Sequence, residues 1–192
     1  MVKHIEDYPT ANAEPWDLPN HGRLTPEEKE QHHIQMRSGF VGEATKHFFT
    51  KDVDSPYEET KRFDWIRGNH VGGRSITWGK HCYRWSDLDF EANAKDGHGT
   101  DWPIRYADIA PWYEHVERFI GVSGAPEGLD QLPDGAFLRP MEMTCVERHA
   151  REKILAAFGG QRVMTIGRAA VLTEDHNGRA ACHYCGPCER GC

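Results

Sequence analysis

The chain has 192 residues, with 30 acidic against 23 basic side chains and a formal charge of −7 spread without a block of like charge. That balance argues against a nucleic-acid groove or an anionic membrane surface as partner, and no apolar run approaches the roughly 18 residues of a membrane span. An apolar fraction of 38% with 19 glycines and 11 prolines fits a globular composition rich in loops, enough for one domain or two small ones.

The opening, MVKHIEDYPT, lacks the apolar stretch of a signal peptide. Residues 1–60 are polar and broken by Pro9, Pro15, Pro19, Pro26 and Pro56, and they read as an extended arm with no core of its own. Within that arm Thr25 can cap a short helix over PEEKEQHHIQM, with Pro26 at its first position. His32 and His33 on this polar helix read as solvated surface rather than as ligands.

The stretch RGNHVGGRSITWGKHCYRWS (67–86) is punctuated by glycine and rich in aromatics. A Gly-Gly pair permits positive φ and lets backbone approach a ligand closely, although two glycines between apolar residues more often make a plain turn. Neither a G-x-G-x-x-G fingerprint nor a P-loop occurs. Next, DWPIRYADIAPWYEHVERFIGVSG carries the strongest helix signal, with Asp108 as cap and Gly121 as stop. Its Ile109, Trp112, Tyr113, Val116, Phe119 and Ile120 share one face, which the periodicity assigns to a core. A loop rich in Gly, Pro and Asp runs from Gly121 to Pro140. Thr144 and Glu147 form a capping-box pattern ahead of a helix reaching Phe158 and stopped by Gly159 and Gly160. QRVMTIGRAAVL reads as one strand or two, kinked at Gly167, and the loop TEDHNGRAA then delivers the chain to its cysteines.

Four of the six cysteines, Cys182, Cys185, Cys188 and Cys192, follow the spacing C-x2-C-x2-C-x3-C, which matches the compact ligand run of bacterial ferredoxins. Zinc sites more often use two separated C-x2-C knuckles, and only one cluster is present here. Zinc, disulfides and plain thiols stay as alternatives to an iron–sulfur site. Cys82 and Cys145 stand apart, which argues against a disulfide-stapled secreted mini-domain.

The ordered blocks GNHVGGRSITWGKHCYRW, an acidic stretch and DWPIRYADIAPWYEHVERFIGVSG resemble the glucose–methanol–choline (GMC) family of FAD-dependent oxidoreductases. The resemblance covers about residues 66–192 and is greatest to the bacterial sugar and polyol dehydrogenase branch. It implies an α/β class, α+β within this stretch: part of a FAD-binding Rossmann-like domain plus the start of the substrate domain. On that reading residues 1–65 are an extended arm of the FAD domain, 66–105 the flavin-contacting region, 106–180 the start of the substrate domain and 181–192 the cysteine loop. The family's dinucleotide fingerprint and its catalytic pair are both missing here, so the resemblance implies an internal section of a longer enzyme and assigns no catalytic residue. A partial domain of that kind would leave apolar helix surface uncovered.

The resemblance further implies Val71, Gly72, Gly73, Ser75, Thr77, Trp78 and Gly79 as flavin-loop positions. FAD would be held non-covalently, since Thr77 stands where some relatives carry the histidine bonded to it; Arg74 stands where many members have Ser or Thr. Cys182, Cys188 and Cys192 reproduce the C-x5-C-x3-C pattern of a three-iron cluster found in some members, with Cys185 as an extra thiol able to supply a fourth ligand. The implied cofactors are therefore FAD and a 3Fe-4S or 4Fe-4S cluster. The implied reaction is hydride transfer from the CH–OH group of a small alcohol, sugar or polyol, with electrons passed to a cytochrome or other acceptor subunit. A periplasmic or membrane-associated complex is the implied setting, with the cytoplasm left open. The rival reading is a small electron-transfer or zinc-binding module without catalytic activity.

Overall fold

A computed structural model describes Thr10, residues 13–184, Gly186 and Cys188. The described chain is mostly short helices and coil, and it divides into two compact units, one of residues up to Gly79 together with those from Cys185 on, the other Lys80–Tyr184.

The first unit holds one α-helix, α1 (Pro26–Gln31), and four single 3-10 turns. Thr25 starts α1 as its sequence predicts: its hydroxyl accepts the Glu28 amide at 3.2 Å and the Glu28 carboxylate accepts the Thr25 amide at 3.0 Å. The expected arm is not without a core: its Leu24, Val41, Phe48 and Phe49 are buried together with Ile76 of the glycine-rich block, and Ile66 packs against them. His32 is likewise only 3% exposed, with Nδ1 3.2 Å from the Thr50 carbonyl, so it belongs to the interior while His33 stays outside. Polar segments fold inward here because buried side chains satisfy their backbone. Asp52, 1% exposed, accepts the amides of Ile34 (2.8 Å) and Gln35 (3.2 Å) and the Gln35 side-chain amide (2.8 Å). Gln35 in turn donates to the Trp65 carbonyl at 2.9 Å and accepts the Arg67 amide at 2.7 Å. Burial alone would raise the Asp52 carboxyl; the Gln35 side chain and the two amides outweigh it and hold the group below the usual range.

The second unit, Lys80–Tyr184, contains α2 (Asp87–Phe90), α3 (Ala92–Asp96), α4 (Tyr106–Ile120), α5 (Cys145–Phe158) and two strands, β1 (Val122–Ser123) and β2 (Phe137–Leu138). The strands pair in parallel, Val122 with Phe137 and Ser123 with Leu138, and they are the only named strands among the described residues. No ladder of a Rossmann-like sheet occurs in the described residues. The segment 161–172 is coil rather than the expected strand: it makes single bridges at Ala169, to His81 and to Ser123. Its organising residue is Arg168, 1% exposed, whose guanidinium bonds Asp134 (2.7 Å) and the Pro133 carbonyl (2.5 Å) and lies over the Phe137 ring at 4.8 Å. A buried guanidinium takes its partners from a loop, so this stretch is fixed by side-chain bonds rather than a ladder.

Helix α4 starts at Tyr106, with Arg105 as N-cap residue and Asp108 in the third helical position accepting the Arg105 amide at 2.8 Å; Asp108 is not the cap. Gly121 ends it with φ 78°, as expected. The face assigned to a core is largely bare: Trp112 is 68% exposed, Val116 50% and Phe119 70%. What the helix buries is Glu117, whose carboxylate accepts Arg84 Nε at 2.7 Å, Arg84 Nη2 at 2.5 Å and the Ala136 amide at 2.8 Å. Helix α5 follows its capping box, Thr144 Oγ1 accepting the Glu147 amide at 3.3 Å, and stops at Gly159 with φ 56°.

Candidate functional site

Two stretches of chain carry the residues that the sequence singles out. The first is the glycine turn of the first unit. The bridge between Phe49 and Gly68, and the Thr50 amide donated to the Arg67 carbonyl at 3.0 Å, bring residues 67–70 alongside the core. The chain then reverses: Gly72 and Gly73 both take positive φ, 95° and 56°, and Gly73–Ser75 makes one 3-10 turn. Two successive left-handed residues cost little only for glycine. The Gly73 amide donates to the His70 carbonyl at 3.1 Å, the Ser75 hydroxyl to the Gly72 carbonyl at 2.5 Å, and the Thr77 amide to the Arg74 carbonyl at 3.2 Å. Buried Ile76 anchors the turn in the core. Outside it, Val71 is 65% exposed, Ser75 and Gly79 are exposed, and Thr77 and Trp78 are half-buried.

Above Gly73 the space is open: a Cβ built there meets nothing within 4 Å. Two polar atoms of this region are buried without a hydrogen-bond partner, Thr77 Oγ1 and His70 Nε2. The other nitrogen of His70 lies 2.8 Å from the Phe48 carbonyl, which can only accept, so Nδ1 is the donor of that bond. His70 gave no signal in the sequence beyond its place in the block. The turn thus combines open space over Gly73 with two unsatisfied polar atoms in its buried flank.

The second place is the cysteine loop. Cys185 and Cys192 lie outside the described residues. Cys182 and Cys188 are both half-buried. Among the described residues no three His, Cys, Asp or Glu side chains converge on a point. Cys182 is a free thiol whose sulfur accepts the Tyr184 amide at 3.3 Å, and Tyr184 itself takes a left-handed φ of 59°. Thiols at the spacing of Cys182, Cys185, Cys188 and Cys192 are the donor set that could hold an iron–sulfur cluster. Of the remaining cysteines, Cys145 is exposed at the start of α5, while burial pushes the Cys82 thiol up from its usual range.

The chain matches no protein-family model. It is 32% identical over 126 residues to the 6'''-hydroxyparomomycin C oxidase of Streptomyces lividus, covering 62% of this chain and 22% of that protein. It is 38% identical over 58 residues to the 2-methyl-1,2-propanediol dehydrogenase of Mycolicibacterium austroafricanum, 29% of this chain and 10% of that one. A third similarity, 31% over 74 residues, is to the fructose dehydrogenase large subunit of Gluconobacter japonicus, 38% of this chain and 13% of that one. The chain therefore spans between about a tenth and a fifth of the length of these relatives, all of them named as oxidases or dehydrogenases.

Proposed function

We propose that this chain is a section of a GMC-type flavin-dependent oxidoreductase that oxidises a CH–OH group of a sugar, polyol or related alcohol. The observation that carries the reading is the Gly72–Gly73 turn, left-handed at both residues, with open space over Gly73. The kind of reaction is taken from the relatives, named for an alcohol, an aminoglycoside and a sugar. Bound FAD would supply the hydride acceptor, and an iron–sulfur cluster would supply a one-electron path onward to an acceptor subunit. In this reading Val71, Gly72, Gly73, Ser75, Thr77, Trp78 and Gly79 hold the flavin without a covalent bond, and a Rossmann-like domain surrounds them. The glycines let the backbone approach the ring face closely, and Ile76 in the core keeps the turn from moving when it does. Cys182, Cys185, Cys188 and Cys192 are the cluster ligands. Removal of the alcohol proton falls to a base outside these residues.

The experiment compares two valine substitutions in the intact enzyme. Gly73 (φ 56°) and Gly97 (φ 71°) both take left-handed backbone with nothing within 4 Å of a built Cβ, so valine strains each in the same way. Gly73→Val should lower flavin bound per folded molecule, read from visible absorbance after gel filtration, while Gly97→Val should leave it at the parent value. Equal flavin content in both variants would make this an ordinary turn.

A further inference from the structure

We infer that the C-terminal end of α4 serves as a clamp that positions Cys182, and that His176, Asn177 and Arg179 are the positioning residues; this rests on the reading of Cys182 as a cluster ligand. Helix α4 ends in carbonyls that lack an intrahelical donor. Three side chains of one loop supply donors. His176 Nε2 lies 2.6 Å from the Arg118 carbonyl and so carries the proton. The Asn177 amide donates to the carbonyls of Arg118 at 3.3 Å and Phe119 at 3.2 Å, and Arg179 Nη2 donates to Phe119 at 2.9 Å. Asn177 takes φ 49° to do so, in a tight turn closed by the His176 and Arg179 backbones at 2.9 and 3.0 Å. A guanidinium at this end also meets the negative pole of the helix.

That turn leads straight to the thiol. The Asp175 side chain accepts the Ala181 amide at 2.8 Å, and the Leu172 carbonyl accepts the Cys182 amide at 2.7 Å. Leu172 is itself fixed by its neighbour Thr173, whose hydroxyl donates to the Arg139 carbonyl at 2.6 Å while Arg139 returns a bond to the Thr173 carbonyl at 2.9 Å. The helix-stopping glycine has a second duty here. A Cβ on Gly121 would sit 2.4 Å from Leu172 Cδ2 and 2.8 Å from His176 Cδ2, so any side chain there displaces the loop's side chains and strains a backbone at φ 78°. Bonds to a ligand's surroundings orient it and tune the metal it holds.

The test uses the intact enzyme in four forms: parent, His176→Ala/Arg179→Ala, Gly121→Ala, and Thr144→Ala, which weakens the cap of α5 as a control for general destabilisation. In metal-free protein, iodoacetamide labelling of Cys182 is followed by peptide mass spectrometry, with far-ultraviolet circular dichroism confirming that each form is folded. The two clamp variants should label Cys182 about tenfold faster than the parent, and Thr144→Ala should not. After anaerobic reconstitution with ferrous iron and sulfide, the clamp variants should hold less iron per chain and show a broadened or shifted paramagnetic resonance spectrum. Labelling within about twofold across all four forms would overturn the inference. If the labelling pattern appears but the parent takes up no iron, the cluster reading falls and the positioning of Cys182 stands.

Discussion

Removing Glu117 should be among the severe single changes in the second unit. Glu117 is 5% exposed and Arg84 8%, and the two meet through a double bond of guanidinium to carboxylate at 2.7 and 2.5 Å. Arg84 spends a further donor on the Tyr106 hydroxyl at 2.8 Å, and the pair holds the guanidinium even more firmly protonated than usual, chiefly through Glu117. Glu117→Ala leaves that cation buried and unpaired, which costs about 3–5 kcal/mol, and it also orphans the Ala136 amide, worth about 1–3 kcal/mol more if no water reaches it. In a unit of about a hundred residues, each kcal/mol lowers the melting midpoint by about 4–8 °C, so the expected loss exceeds about 10 °C. Differential scanning calorimetry of parent and variant measures it. Arg84→Met with Glu117→Leu removes both charges and should recover most of the loss, because an apolar pair of similar volume needs no partner. A loss below about 1 kcal/mol for Glu117→Ala would refute the argument, since that is the worth of an exposed pair.

Four further outcomes follow from the same structure. Gly135→Ala should destabilise the second unit too, because its Cβ would fall 2.6 Å from Glu117 Oε1 and push the carboxylate off Arg84; circular dichroism melting checks this. The Asp52 carboxyl, held low in the folded state, contributes stability that is complete above its unfolded value of about 3.9 and is lost as pH falls through the folded value. Asp52→Asn should therefore flatten the acid limb of a urea-midpoint profile between about pH 5 and 2 while lowering the neutral plateau. Trp112→Lys with Phe119→Lys should change stability by under about 0.5 kcal/mol yet reduce binding of a hydrophobic dye, since both side chains are mostly exposed here. Thr25→Ala should cost about 1 kcal/mol through loss of the α1 capping box, read from denaturant unfolding.

The sequence by itself determined what rests on neighbours a few residues apart. Thr25 with Glu28, Thr144 with Glu147, and the stops at Gly121 and Gly159 were legible because a cap or a left-handed stop needs only its own turn of chain. The Gly72–Gly73 turn and the thiol spacing were legible for the same reason. Tertiary structure decided the rest. Hydropathy gives no warning that a polar arm will close around Asp52 and Gln35, because those residues pair with amides 17–32 positions away in the chain. The 3.6-residue period marked the apolar stripe of α4 correctly, but which stripe is buried depends on what packs against it, and here Arg84 draws in Glu117 while Trp112 and Phe119 face outward. QRVMTIGRAAVL has the composition of a strand, yet Arg168 within it finds its partners in the 132–134 loop, so side-chain bonds replace the ladder. Likewise, Gly121 reads locally as a helix stop, and only the folded chain shows Leu172 and His176 lying where its missing side chain would be.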